Sequence, residues 1–372
     1  MHSPASDAAH EIVDLFAGPG GLDMAAQALL IPVTGVEWDG DANATRKAAG
    51  LATQEGDVRE YCPERFSSAT ILAGGPPCQT FTVAGSGSGR RALDQVITFA
   101  RRMAKGDDVR AELAEQDDPR TGLVLEPLRW ALQAIRSGDP YQAIVLEQVP
   151  AVLPVWEEYK RILEELNYSA KCAVLHTEEF GVPQTRRRAI LIARRLSDEG
   201  TALHRQVELP TPTHHRFHKG APRPGSSNGR DPWVAMGEVV DLGWPFKVVS
   251  NYGTGGDPKA RGVRSSGEPA FTVTGKISRN RVVRSDLVSP RPEDFTRFLD
   301  HQAGQLQTFP ANYPWSGKAV AQQIGNAIPP RLGVHVLAAA LDFGSEEIEA
   351  ALKRLANWES PRPSDGTQSA QG

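Results

Sequence analysis

Apolar and polar positions follow two rhythms along the first 150 residues. HEIVDLF, IPVTGVEW, ATILAGG and YQAIVLEQV (141–149) are short apolar runs with strand character. After the first, GPGG turns the chain and LDMAAQALL has a helical pattern. Strands alternating with helices predict an α/β fold with a mostly parallel, doubly wound sheet. Further on, KCAVLHTEEFGVPQTRRRAILIARR predicts two strands joined by a turn near Gly181–Pro183. Residues 320–341 return to helix, with VLAAALDF after a Pro-Pro turn, and no internal repeat is present.

Two stretches break the rhythm. Residues 86–117 are Gly/Ser-rich and then densely charged, which predicts a long mobile loop containing a solvated helix. Residues 196–290 are rich in Gly, Pro, His and Arg, which predicts a separate, irregular or short-stranded module. The 372 residues suggest about two domains. The expected division is 1–195 for the main sheet, 196–295 for the smaller domain, and 296–345 for a segment that returns to complete the first. Residues 358–372 are expected to be a disordered tail.

Composition excludes some classes. With 23% charged and 40% hydrophobic residues, the chain is not collagen-like, coiled-coil or wholly disordered. No apolar run approaches the ~18–20 residues of a membrane span. The N-terminus lacks a basic start followed by an apolar stretch, so no secretory signal is read. Three widely spaced cysteines, Cys62, Cys78 and Cys172, give neither a CxxC pair nor a disulfide framework. A reducing, cytoplasmic location fits. The net charge of −4 speaks against polyanion binding, but its distribution does not. From Arg186 to Pro290 there are 18 Lys and Arg against 9 Asp and Glu, or +9, which leaves −13 for the rest. Such asymmetry fits either a nucleic-acid surface or a solvated basic region.

The candidate chemistry sits at strand ends. Asp14-Leu15-Phe16-Ala17-Gly18-Pro19-Gly20-Gly21 closes the first strand, where a doubly wound fold has its ligand crevice. Alone it is equally a plain strand-to-helix turn. Glu37 ends the second strand, where an acid commonly takes ribose hydroxyls, and Trp38 beside it can stack on a purine. Asp57 follows Gly56 at the end of a third unit. Each acid alone is as well a helix cap; together they favour an adenosine-containing cofactor. No GxxxxGK[ST] loop occurs, which disfavours ATP hydrolysis.

Gly74-Gly75-Pro76-Pro77-Cys78-Gln79-Thr80-Phe81-Thr82 follows the strand ATIL. Its glycines and prolines fix a rigid loop that presents one cysteine at the ligand edge, and the thiolate is the reactive form. Glu147 ends YQAIVLEQV at the same rim, suited to protonating or hydrogen-bonding a substrate ring. Arg186 and Arg188 share one face of a strand and would hold Glu147 or a substrate carbonyl. A solvated edge is the alternative for an Arg-rich strand end.

Together these motifs resemble the DNA (cytosine-5) methyltransferases of bacterial type. DLFAGPGG resembles the cofactor loop, GGPPCQTFT the cysteine motif, LEQVP the Glu-Asn-Val segment and FGVPQTRRRAILIA the Gln-x-Arg-x-Arg segment. Gln323-Ile324-Gly325-Asn326-Ala327-Ile328-Pro329-Pro330 resembles the C-terminal Gly-Asn segment. The motifs run in the family's order from residue 11 to about 341. The resemblance implies a Rossmann-like S-adenosylmethionine-dependent methyltransferase sheet with a smaller target-recognition domain at 196–295. It implies S-adenosylmethionine lying along Phe16, Gly18, Pro19 and Gly21. Glu37 would take the ribose, Trp38 the adenine face and Asp57 the adenine amine, with Val58, Pro77 and Leu123 in contact. Asn326 and Ala327 would close the site.

The implied chemistry accounts for the residue types. Carbon 5 of cytosine is a poor nucleophile until the Cys78 thiolate adds to carbon 6. Glu147 would assist at ring nitrogen 3, and Arg186 and Arg188 would bind the cytosine carbonyl and orient Glu147. The base that removes the carbon 5 proton is not assigned. The target must be flipped out of the duplex. Phosphate contacts from the basic segment would supply affinity, and base-edge contacts specificity. The implied partners are duplex DNA and, in a restriction–modification setting, a cognate endonuclease on the same site; an orphan role reads the same. No membrane association is expected.

The sequence departs from the family's pattern in three places. Gln148 replaces Asn after the glutamate, where one extra methylene can shift the loop. Gln302 and Gln305 stand where the family has Glu and Arg, which suggests a charged pair replaced by an amide pair. The segment from Cys78 to Asp118-Pro119-Arg120 is about thirty residues longer than the resemblance leads one to expect. Alternatives are an RNA cytosine methyltransferase and a catalytically weak DNA-binding protein that keeps the fold. A cysteine hydrolase is disfavoured, since His176 belongs to no Cys–His motif. His214, His215 and His218 lack a suitably spaced fourth ligand, so no metal site is indicated.

Overall fold

The computed structural model describes residues 10–77, 87–115, 120–196, 206–250 and 262–360. Its centre is a seven-stranded sheet in the order β3-β2-β1-β4-β5-β7-β6. The strands are β1 (Ile12–Leu15), β2 (Val33–Glu37), β3 (Thr53–Glu55), β4 (Ile71–Gly74), β5 (Ala143–Gln148), β6 (Tyr168–His176) and β7 (Arg187–Arg195). β1 to β5 pair in parallel and β7 runs antiparallel to both its neighbours. The order reverses at β1, between β2 and β4, so the crevice at their carboxyl ends is the expected ligand position.

The strand sequences explain the layers. Successive side chains point to opposite faces, and the central strands are apolar at nearly every position, as strands covered on both faces must be. Val13, Leu15, Leu72, Ile144 and Leu146 face one core, with Trp130, Trp156 and Tyr159 from helices α5 (Glu126–Arg136) and α6 (Leu153–Glu165). Ile12, Ile71, Ala73 and Val145 face the other. There they meet α1 (Gly21–Ala28), α9 (Pro330–Leu341) and α10 (Ser345–Ala356).

The segment expected to hold a solvated helix is helical, but it is not solvated throughout. It forms α3 (Gly87–Ala104) and α4 (Arg110–Ala114), and α3 packs against α6. Val96, Phe99, Ala100 and Met103 recur at helical spacing and are buried in the first core. The dense charge of this stretch hid that stripe. The last helix, α10, also went unread, although Ile348, Ala351, Leu352 and Leu355 form an apolar stripe that packs in the second core. Trp358, assigned above to the tail, lies against Tyr313 with ring centroids 5.5 Å apart. Residues 361–372 lie outside the described residues.

The basic segment is short-stranded, as its composition suggested. β8 (Phe246–Val249), β9 (Val263–Ser265) and β10 (Arg281–Arg284) form a three-stranded antiparallel sheet in the order β10-β8-β9. Its core includes Phe298, Ala303, Leu306 and Ile324 from the returning chain, which bears α7 (Asp300–Leu306) and α8 (Val320–Asn326). Gln302 forms no amide pair with Gln305: its Oε1 accepts from Leu299 N–H at 2.9 Å and caps α7, while Gln305 is half-buried.

Candidate active site

The loop after β1 is built on unusual backbone. Phe16 has φ 60°, rare for a residue with a side chain, and Gly20 has φ 101°. A Cβ on Gly21 would lie 2.2 Å from the Ile328 carbonyl, so only glycine lets the C-terminal segment sit on the start of α1. The Tyr313 hydroxyl donates to the Pro19 carbonyl, a tie the sequence reading missed.

Glu37 is clamped beneath this loop. Its Oε2 accepts from Gly18 N–H at 2.7 Å, and its Oε1 from Trp38 N–H at 2.9 Å and Asp39 N–H at 2.7 Å. Burial pushes its pKa up and the three N–H donors pull it back, with a net upward shift. A buried ion pair supports the loop from behind. Arg46 of α2 (Gly40–Ala48) donates to both oxygens of Asp23, at 2.9 and 2.7 Å, and to the Gly18 carbonyl at 3.4 Å. Gly35 makes room for it, since a Cβ there would meet Arg46 Nη2 at 2.1 Å.

A cavity opens at the carboxyl ends of β1 and β2. Phe16, Val36, Glu37, Trp38, Gly56, Asp57, Val58, Arg59 and Leu123 line it. Six of these are sequence-predicted cofactor contacts. Trp38 is 66% exposed, leaving its ring free to cover a ligand. Asp57 is held by Arg59, whose Nη2 lies 2.5 Å from Oδ2, and this bond lowers the Asp57 pKa. Arg59 was not singled out from sequence, since a lone arginine after a capping Asp gives no signal. Two carboxylates, an indole face and apolar walls suit an adenosine moiety.

Two of the catalytic candidates, Glu147 on β5 and Arg188 on β7, lie two and three strands from β1. Glu147, near the end of β5, has its Oε1 2.5 Å from Arg188 Nε on β7. Both side chains are mostly buried. Gly75 adjoins them, for a Cβ there would lie 3.5 Å from Glu147 Oε2. Gln148 ties the two strand ends: its Nε2 donates to the Pro76 carbonyl and its Oε1 accepts from Val149 N–H at 2.5 Å. Pro77 is the last described residue of this turn, and Cys78 lies outside the described residues.

Arg186 takes partners other than those expected. It is fully buried and donates to the carbonyls of Val273 at 2.8 Å, Gly325 at 2.9 Å and Ala327 at 3.1 Å. Three carbonyls solvate its charge, so it joins the start of β7 to the small module and the C-terminal segment. Gln184 works alongside it, accepting from Val273 N–H at 2.9 Å and donating to Leu306 O at 2.8 Å and Gln307 Oε1 at 2.6 Å. These long-range bonds had no sequence signal. Asn326, exposed at the end of α8, accepts from Gln322 at 2.8 Å, and Ala327 is buried behind it. Among the described residues, no group of three His, Cys, Asp or Glu is placed to hold a metal ion.

Comparison with known proteins bears on this arrangement. A family model described as C-5 cytosine-specific DNA methylase matches residues 10–101 and 112–341. The Type II methyltransferase M1.HphI of Haemophilus parahaemolyticus is 28% identical over 300 residues, covering 74% of this chain and 69% of the relative. The Type II methyltransferase M.MthTI of Methanothermobacter thermautotrophicus is 23% identical over 357 residues, covering 87% and 94%. In fold, the S. pombe Dnmt2 methyltransferase aligns with a TM-score of 0.58 at 14% identity, over 90% of this chain and 98% of that one.

Proposed function

The chain belongs to the C-5 cytosine-specific DNA methylase family and is a DNA cytosine-5 methyltransferase, and from that premise we propose how its residues act. The Glu37–Trp38–Asp57 cavity holds S-adenosylmethionine, with Glu37 at the ribose hydroxyls, Trp38 on the adenine face and Asp57 at the adenine amine. Phe16, Val58 and Leu123 wall that cavity, and Gly18, Pro19, Gly21, Pro77, Asn326 and Ala327, which lie outside its lining, would meet the rest of the cofactor. S-adenosylmethionine supplies the methyl group that carbon 5 of the target accepts.

Cys78 acts as the nucleophile. Its thiolate forms a bond to carbon 6 of a flipped-out cytosine while Glu147 donates a hydrogen bond or proton at nitrogen 3. The added electron density makes carbon 5 nucleophilic. After methylation a base takes the carbon 5 proton and the bond from Cys78 to carbon 6 breaks. Arg188 orients Glu147 and faces the cytosine carbonyl. Arg186 is a positioning residue.

The small module, 196–295, serves as the target-recognition domain between a catalytic part, 1–195, and a returning segment, 296–345. It exposes Lys276 and Arg279 on a turn pressed against α8, where a Cβ on Gly325 would lie 2.1 Å from Gly275 N, and Arg281 at the start of β10. Exposed cations on this module suit a phosphate backbone. A Type II setting with a cognate endonuclease follows the relatives' names and is part of the proposal. Among the described residues, no helix is long and apolar enough to cross a membrane. A cytoplasmic enzyme fits the proposal.

The observation that carries this reading is the Arg188–Glu147 pair, set against Gly75 in the turn that leads to Cys78. The test is base-resolution methylation sequencing of a host that lacks cytosine methylation, expressing the chain or its Cys78→Ser variant. A 5-methylcytosine signal at one recurring short duplex motif, absent with the variant, is expected. No signal in DNA, or an equal signal with the variant, overturns the proposal. The same assay on host RNA then separates an RNA enzyme from a DNA-binding protein without activity.

A further inference from the structure

The hairpin α3–α4 has a definite neighbour. The family match itself breaks at residues 102–111, inside this hairpin. Beyond α4 the chain reaches a short 3-10 turn, Thr121–Leu125, whose residues look two ways. Leu123 lines the cavity of Glu37 and Trp38. Val124 and Leu125 point into the core shared with Val96, Phe99, Met103 and Val109 of the hairpin. Leu113 of α4 packs directly on the turn, with its Cδ2 3.5 Å from a Cβ position on Gly122. From the other side the Tyr159 hydroxyl donates to the Val124 carbonyl at 2.8 Å. One wall of the cavity is thus clamped between α4 and α6.

The outer face of the hairpin argues against a nucleic-acid contact. Arg102 grips both oxygens of Glu112 at 2.7 Å and reaches Asp107 at 3.1 Å. Arg110 pairs with Asp108 at 2.6 Å, and Arg101 with Glu158 at 2.8 Å. Cations neutralised by acids of their own surroundings make a poor phosphate surface.

We propose that the α3–α4 hairpin is a brace for the cofactor cavity, in which Leu113 and Val109 hold the Thr121–Leu125 turn and so set the affinity for S-adenosylmethionine. This rests on the cofactor reading above. Leu113 is a positioning residue: it touches the wall and not the ligand.

The test is calorimetric titration of the full-length protein with S-adenosylhomocysteine, without DNA. Leu113→Ala is expected to weaken binding about fivefold and Leu113→Met to restore it. Arg102→Gln opens the ion-pair clasp, whose guanidinium also lies 5.9 Å from the centre of the Phe99 ring, and is expected to weaken binding in the same direction by a smaller factor. Amide hydrogen exchange of residues 121–125 should quicken in Leu113→Ala, while affinity for duplex DNA stays unchanged. Equal cofactor affinity and exchange in the wild-type protein and these variants overturn the brace. Failure of the wild-type protein to bind S-adenosylhomocysteine overturns the cofactor reading itself, and the brace with it.

Discussion

Arg188 and Glu147 stand on neighbouring antiparallel strands with Nε 2.5 Å from Oε1, at the edge where the turn carrying Pro76 and Pro77 begins. A carboxyl fixed by one guanidinium and walled by glycine has little freedom, so its other oxygen is held in one orientation. Glu147→Gln should lower the single-turnover rate about 100-fold, within the range for a positioned acid. Arg188→Lys keeps the charge but loses the planar fork, and should fall between that variant and the wild type. Rapid-quench methylation at saturating cofactor checks both, and a rate within twofold of wild type for Glu147→Gln would sink the assignment.

The Gln148 amide spans from Pro76 O to Val149 N–H. Gln148→Ala strips partners from two groups at a buried strand end, with an expected stability loss of about 1–3 kcal/mol. Gln148→Asn is one methylene short of making both bonds. It should slow methyl transfer while leaving S-adenosylhomocysteine affinity unchanged. Urea denaturation and single-turnover kinetics distinguish these from an inert substitution, in which neither quantity moves.

The Asp23–Arg46 pair is fully buried at both ends. Removing one partner leaves an uncompensated charge, so Asp23→Ala should cost about 3–5 kcal/mol in chemical denaturation. A double variant, Asp23→Leu with Arg46→Met, should recover much of that stability. It should still bind cofactor more weakly, because the Gly18 carbonyl loses its donor. Full recovery of cofactor binding would show that the pair serves stability alone.

Glu178 gives a pH prediction. Burial pushes its pKa up to about 7 from an ordinary 4.5, while burial and Arg216 push His176 down to about 4 from 6.5. A raised carboxyl contributes stability that is complete below pH 4.5 and lost as the pH rises through 7. The lowered histidine acts in the opposite sense, contributing above pH 6.5 and losing that contribution as the pH falls towards 4. Glu178→Gln should therefore raise the melting temperature at pH 8 and leave it nearly unchanged at pH 5. A shift of equal size at both values would assign the effect to packing.

Strand ends and their chemistry were legible because short-range rules write them. The sheet requires apolar runs, the turn after β1 requires glycines, and Glu37, Trp38, Asp57 and Glu147 each follow a readable strand. The helix within 86–117 was legible but was read as solvated, because clustered charges masked a buried stripe of Val96, Phe99, Ala100 and Met103. That stripe is buried only because α6 and residues 121–125 supply the opposing surface, and a helix pattern alone does not name its partner.

The sequence by itself determined the doubly wound sheet, the family and the rim on which the acids and the Cys78 turn stand. Tertiary structure alone decided the partners of Arg186, Gln148 and Arg46. Each of these reaches a backbone carbonyl contributed by a chain segment 28 to 141 residues away. A buried donor must find an acceptor, so the sequence shows that such a group needs a partner. Which carbonyl answers depends on how the segments pack, and local pattern carries no record of that.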